Sequence, residues 1–290
     1  MHKQKYFKYK TKYLKLKMQH GGGKDNSNKK YVYIRHGERP SQQKNQEIKD
    51  KWKESKRFKQ NHLDEPLTEK GLEESYKTGV NLLKHINIDN FDYIYSSPWT
   101  RCIQTSIQIL KAIENETGKK LKIRVEYGLA EPMLCYLLFY LPEINGDEIA
   151  SDIFPKYIVR NNAKEIVDLM DNKLHYSKLL KKYSNFLDQS HKPLFTENDV
   201  NNSNLKKEWQ MQLSTARMIS EQPKSSIVVS HANKYCLYHQ YYLLGINKLD
   251  PLEACKLMDG TDGPTSVNFV MIYQQNDNKW EKILSPQRII

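Results

Sequence analysis

Tyr31-Val32-Tyr33-Ile34-Arg35-His36-Gly37-Glu38-Arg39 is an apolar run that stops abruptly at charge and glycine. Four aromatic or β-branched residues in a row read as a short strand. Arg35-His36-Gly37 is where that strand gives way to a loop. The same punctuation recurs along the chain. Phe91 to Tyr95 is a second strand candidate, ending at Ser96-Ser97-Pro98. A helix follows with apolar Ile103, Ile107, Leu110 and Ile113, and stops near Gly118. Leu121 to Val125 is a third strand. Ile227 to Val229 is a fourth, followed at once by Ser230-His231 and a helical run to Leu244. Val267 to Tyr273 and Trp280 to Leu284 read as a terminal hairpin around Asn276-Asp277-Asn278. Leu72, Tyr76, Val80 and Leu83 mark another helix, with Thr68 as its N-cap. Strands alternating with helices predict an α/β fold with a mostly parallel sheet.

Two stretches break the alternation. Residues 41–66 are polar and lysine-rich with no period, and read as a long excursion. Residues 132–204 are helical in flavour with few strong strands, and read as an insertion that caps the strand ends, where substrate choice is usually set.

The length of 290 residues suits one large domain or one domain with an insertion. Of the net charge of +12, +7 sits on lysines of the first 20 residues, which hold no acid, leaving +5 for the rest. A folded body so mildly basic is a weak candidate for nucleic-acid binding. Tyr6, Tyr9, Tyr13 and Leu16 recur at helical spacing among those lysines, so the arm is suited to touch an anionic surface. Gly21-Gly22-Gly23 and the polar residues up to Lys30 form a linker. The division expected is an arm with linker over residues 1–29 and one domain over residues 30–290. No run of about 18 apolar residues exists, so no transmembrane segment is expected. The N-terminus lacks the apolar core of a secretory signal. Cys102, Cys135, Cys236 and Cys255 form no C-x-x-C pair. They read as free thiols of a reducing, cytoplasmic compartment. No metal-ligand cluster is visible, and neither a metal nor another cofactor is expected.

Arg35, His36 and Arg39 follow the first strand, Arg101 opens the helix after the second, and His231 follows the fourth. Ligands of open α/β sheets gather at the carboxyl ends of strands, so these residues are expected to converge. Two imidazoles and several guanidiniums together suit a phosphate dianion, which arginine grips with planar, permanently charged donors.

Here the residues carry a family likeness. Arg35-His36-Gly37-Glu38 resembles the nucleophile motif of the histidine phosphatase superfamily, of phosphoglycerate-mutase-like fold. Ser96-Ser97-Pro98-Trp99-Thr100-Arg101-Cys102-Ile103-Gln104-Thr105 resembles its second arginine motif, and Val229-Ser230-His231-Ala232 its second-histidine motif. Within the superfamily, Arg35 to Arg39, Arg101 to Thr105, Ile123 to Glu126 and Gly128 to Glu131 are most similar to two kinds of phosphatase. One is the suppressor-of-T-cell-receptor-signalling (ubiquitin-associated and SH3-containing) type; the other is the ecdysteroid-phosphate phosphatase of insects. Those relatives carry Trp where this chain has Pro132, and the segment beyond is not matched. The arm resembles the Lys/Tyr/Leu-rich leaders, ending in glycines, of many giant DNA virus proteins. That likeness implies a host-cytoplasmic or virion location.

The resemblance implies a three-layer α/β/α architecture and a metal-independent phosphatase. His36 would be the nucleophile, forming a phosphohistidine. Arg35, Arg101 and His231 would form the phosphate pocket, with Arg39 as an extra phosphate-contacting arginine. His231 would also share in catalysis. Glu126 and Glu131 compete as proton donor, and Glu131 is preferred because Gly128-Leu129-Ala130-Glu131 matches the family position. The expected substrate is a phosphorylated small molecule or phosphoprotein, and a homodimer is compatible with the sequence. A phosphoglycerate-mutase-type phosphotransferase and a non-catalytic binding or virion protein on the same fold are the alternatives.

Overall fold

The apolar runs do become strands. In the computed structural model, which describes residues 29–56, 64–130, 180–201, 205–231, 243, 245, 268–277 and 279–289, six of them form one sheet. They are β1 (Lys30–Arg35), β2 (Phe91–Ser96), β3 (Lys122–Val125), β4 (Ser225–Ser230), β5 (Phe269–Asn276) and β6 (Lys279–Arg288). The strand order is β3-β2-β4-β1-β5-β6. β3, β2, β4 and β1 are mutually parallel, whereas β5 and β6 join antiparallel at the edge. The sheet is therefore mixed, with a parallel part that carries the ends of interest. The β5–β6 hairpin turns at Asp277, which is in the left-handed region with φ 47°.

Alternation along β1 divides the core into two layers. Val32 and Ile34 face a cluster with Leu82, Ile103, Ile107, Leu110 and Ile113. These come from helices α2 (Glu69–Leu82) and α3 (Thr100–Thr117). Tyr31 and Tyr33 face the opposite side, with Val228, Phe269, Met271 and Ile219. Ile219 belongs to α5 (Leu205–Ser220), which precedes β4. Helices thus cover both faces of the sheet, the three-layer arrangement expected. Strands buried on both faces read as continuous apolar runs, which is why β1 and β4 were visible in the sequence.

Both helix ends read from the sequence have a physical cause. The Thr68 hydroxyl accepts the Gly71 N–H at 3.0 Å and caps α2. Gly118 ends α3 at φ 73°, a conformation costly for a residue with a Cβ, and its N–H closes on the Glu114 carbonyl.

One reading needs correction. Residues 41–66 are not wholly irregular: a 3-10 turn at Pro40–Gln42 leads into a helix, α1 (Gln46–Glu54), capped by Asn45. Only Trp52 of α1 is buried, so the helix leaves almost no apolar period to detect. A short helix, α4 (Glu197–Asn201), and the 3-10 stretch Lys181–Phe186 lie within the predicted insertion. Its main part, the basic arm, the run after His231, Glu131 and cysteines 135, 236 and 255 lie outside the described residues. Among the described residues, no helix is long and apolar enough to cross a membrane.

Candidate active site

The parallel strands bring their carboxyl ends level. Arg35 pairs with Ser230, Ser96 with Val229 and Ser96 with Val125. One further bond extends each rung into the loops: His36 N–H to Ser230 O (3.0 Å), Ser97 N–H to Val229 O (3.0 Å) and Glu126 N–H to Ser96 O (2.9 Å). The residues after β1, β2 and β3 are thereby fixed by backbone, before any side chain contributes.

His36 is buried, and its Nδ1 lies 2.8 Å from the Gly37 carbonyl. A carbonyl can only accept, so Nδ1 carries the proton and Nε2 keeps its lone pair. Gly37 is itself held by its N–H, which donates to the Thr105 hydroxyl at 2.9 Å, and that hydroxyl donates to the Arg101 carbonyl at 2.8 Å. The nucleophile loop and the Arg101 helix are thus hydrogen-bonded together. From the other side, the Asn268 N–H reaches the His36 carbonyl at 3.3 Å.

The loop can sit this low because a glycine stands on each side of its contact with α2, Gly37 in the loop and Gly71 in the helix. A Cβ on Gly37 would lie 2.6 Å from the Ser75 hydroxyl and 2.8 Å from the Gly71 carbonyl. A Cβ on Gly71 would lie 2.3 Å from the Glu38 carbonyl oxygen. Glu38 then accepts from the Thr68 hydroxyl and Lys70 and also meets Gln43, so it anchors the loop to the start of α2.

His231 is the second imidazole, its ring centroid 5.5 Å from that of His36. Its Nδ1 lies 3.3 Å from Arg101 Nη2 and its Nε2 2.9 Å from Ser97 Oγ. Arg101 is fully buried and stacks on the Trp99 indole, with 4.3 Å between guanidinium carbon and ring centroid. Both histidines are held well below the ordinary imidazole pKa. For His36, burial is the main cause, followed by the charges of Arg101 and Arg35, then His231 and Arg39. For His231 the order is burial, then Arg101, Arg39 and Arg35. The site therefore sets two imidazoles whose neutral form is favoured among guanidiniums, an arrangement suited to an anion.

The structure brings together Arg35, His36, Arg39, Arg101 and His231, five of the six residues read from the sequence. Arg39 has a second engagement: its Nη1 donates to the buried Glu65 carboxylate at 3.0 Å, which also accepts from the Ser41 N–H and hydroxyl. Glu131, the sixth, lies one residue beyond the described turn that ends at Ala130. Its competitor Glu126 is fully buried, accepting from His191 Nε2 at 2.6 Å and from the Leu194 N–H at 3.0 Å. Both its oxygens are used in tying residues 191–194 to the end of β3.

Sequence reading missed Asp64, Glu65, Ser97, Trp99, Thr105, His191 and Asn268. Ser97, Trp99 and Thr105 stood inside a quoted motif. Asp64 and Glu65 are adjacent acids ending a lysine-rich stretch, the one signal that could have exposed them. Nothing local marked His191 or Asn268. Among the described residues, no group of three or more His, Cys, Asp or Glu is placed to hold a metal ion.

Residues 32–133 match the family described as the histidine phosphatase superfamily (branch 1). The fold is phosphoglycerate-mutase-like. Over 74 residues, 26% of the chain, the sequence is 40% identical to human ubiquitin-associated and SH3 domain-containing protein B. The mouse protein of that name is 38% identical over the same length. The match covers 11% of each of these much longer relatives. The crystal structure of the ecdysone phosphate phosphatase of Bombix mori, in complex with tungstate, superposes with a TM-score of 0.56 at 15% identity, covering 89% of this chain and 94% of that one. The likeness to that structure is one of fold. The segment matched to the family holds Arg35, His36, Arg39, Arg101 and Glu131, while His231 lies outside it.

Proposed function

We propose that this protein is a phosphatase that hydrolyses phosphate monoesters through a phosphohistidine on His36, without a metal ion. The observation that carries the reading is the His36 Nδ1 bond to Gly37. It commits the lone pair to Nε2, in a pocket where the neutral form of the ring is favoured.

Hydrolysis takes two steps. His36 Nε2 donates its electron pair to phosphorus while the ester P–O bond breaks, and the leaving alkoxide takes a proton from an acid. Glu131 is the acid assigned, by its place after β3. Water, deprotonated by the resulting carboxylate, then attacks phosphorus. The P–N bond breaks, its electron pair returns to Nε2, and inorganic phosphate leaves. Arg35, Arg101, Arg39 and His231 supply the electrostatic stabilisation that dominates phosphoryl transfer. An adequate set of cationic donors is the ground for a metal-independent reaction.

The test is turnover of an aryl phosphate by the full chain in the presence of a chelator. Hydrolysis that persists supports the reading. Activity lost with the chelator contradicts metal independence, and transfer that requires a bisphosphate primer points to the mutase. A folded protein inactive on a broad ester panel supports a binding role. The substrate range is expected to follow residues 132–204, and an arm so rich in lysine suits contact with an anionic surface.

A further inference from the structure

We propose that Ser97 is a positioning residue for His231: it holds the Nε2 edge, so that the Nδ1 edge takes up a proton when a phosphate-like oxyanion binds. The proposal rests on the reading of this pocket as a phosphate site.

The tautomer follows from geometry. A guanidinium has only donors, so Arg101 Nη2, 3.3 Å from Nδ1, obliges Nδ1 to present its lone pair. The neutral ring then carries its proton on Nε2, which donates to Ser97 Oγ at 2.9 Å. Ser97 is a rigid acceptor: it is fully buried, its N–H is bonded to Val229, and its Oγ also lies 3.5 Å from the Trp99 N–H. The His231 backbone is fixed too, its carbonyl accepting from the Tyr33 hydroxyl at 2.8 Å. The ring therefore cannot exchange its edges without giving up these bonds.

An oxyanion reverses the demand on Nδ1. Among the described residues, the titratable and charged groups that face His231 include Arg101 and Cys102 of α3, Arg35 and His36 at the end of β1, and Arg39 beyond it. Without an anion, the three arginines disfavour a further positive charge. An oxyanion in the pocket offsets their field and claims the Arg101 donors, leaving the Nδ1 lone pair against a negative oxygen. A proton on Nδ1 turns that repulsion into a charge-assisted hydrogen bond. The Nε2–H bond to Ser97 is unchanged, so Ser97 determines which nitrogen titrates.

The test is calorimetric titration of the full chain with tungstate at pH 7.5, in buffers of different ionisation enthalpy. Tungstate is fully ionised there, so protons taken up go to the protein. The wild type is expected to take up about one proton per tungstate by linkage, and His231→Asn none. Ser97→Ala is expected to bind about tenfold more weakly, the scale of one lost hydrogen bond, and Ser97→Thr to restore binding. Binding without proton uptake, uptake that survives His231→Asn, or wild-type affinity in Ser97→Ala overturns the proposal. Binding by the wild type without uptake overturns the proposal even if Ser97→Ala fails to fold. Aryl phosphate hydrolysis, run alongside, separates the two readings. Hydrolysis without proton uptake removes this inference alone; uptake without hydrolysis removes the phosphatase and leaves the inference standing.

Discussion

Asp64 holds Thr100 twice, accepting its backbone N–H at 2.7 Å and its hydroxyl at 2.5 Å. An acid from the loop before α2 therefore caps α3, whose own preceding residue, Trp99, offers no cap. The next residue in the chain is Arg101. The cap thus fixes where the buried guanidinium sits, and Glu65 does the same for Arg39 from the adjoining position.

Asp64→Ala is expected to destabilise the fold by about 1–2 kcal/mol, the usual loss of an N-cap acceptor, and to weaken oxyanion binding as Arg101 loosens. Asp64→Asn retains an acceptor oxygen and is expected to lose less of both. Urea unfolding and vanadate inhibition, measured on the same samples, check the pair. Equal damage from Ala and Asn would show that the charge, not the cap, is what α3 needs.

Gly71→Ala places a methyl 2.3 Å from the Glu38 carbonyl oxygen. The neighbour is backbone and cannot rotate away, so the loop or α2 has to shift. The expected cost is about 1–3 kcal/mol, that of overpacking a tight contact, with a fall in turnover because His36 rides on the same loop. Gly118→Ala is the control. It meets nothing within 4 Å, and strain at its positive φ is its only penalty. It should therefore lower stability and leave turnover unchanged.

The two buried imidazoles predict a pH dependence of stability. Their folded pKa values lie well below 6.5, close to the value expected in the unfolded chain. Above 6.5 both states hold them neutral, and stability is fully present. As pH falls below 6.5, only the unfolded chain takes up the protons, so stability declines toward the folded pKa values. Each ring contributes a slope of up to about 1.4 kcal/mol per pH unit. Urea unfolding between pH 7.5 and 5 should show this slope reduced in His36→Asn. An unchanged slope would mean that His36 does not stay neutral in the fold.

The parallel strands were legible because burial on both faces leaves an unbroken apolar run, as in Tyr31 to Ile34. The site was legible because catalytic side chains follow directly on strand ends: a backbone bond to Ser230 places His36 after β1, and His231 stands next in line after β4. Polar contacts across many residues leave no such trace. Glu65 reaches Arg39 across 26 positions and Asp64 reaches Thr100 across 36, with no period to reveal either. Helix α1 escaped for a related reason, since one buried tryptophan makes no stripe.

Glu126 and Glu131 are separable by experiment. Glu126 spends both carboxylate oxygens on His191 and Leu194, so Glu126→Gln is expected to lower stability by about 1–3 kcal/mol with turnover nearly intact. Glu131→Gln should do the reverse, losing roughly 100-fold or more in kcat, the contribution of a general acid. The loss should be smaller for substrates whose leaving group needs no proton, such as p-nitrophenyl phosphate. A large turnover defect confined to Glu126→Gln would move the proton donor to that residue.

Rapid-quench trapping with a labelled phosphate monoester reads the covalent bond between His36 and phosphorus itself. The wild type should yield a phosphoprotein that is labile in acid and stable in base, formed in a burst and lost on adding water alone as acceptor. His36→Ala should form none and lose at least about 1,000-fold in turnover, as expected for removal of a nucleophile. An acid-stable phosphoprotein, or label retained in His36→Ala, would rule out a phosphohistidine on His36.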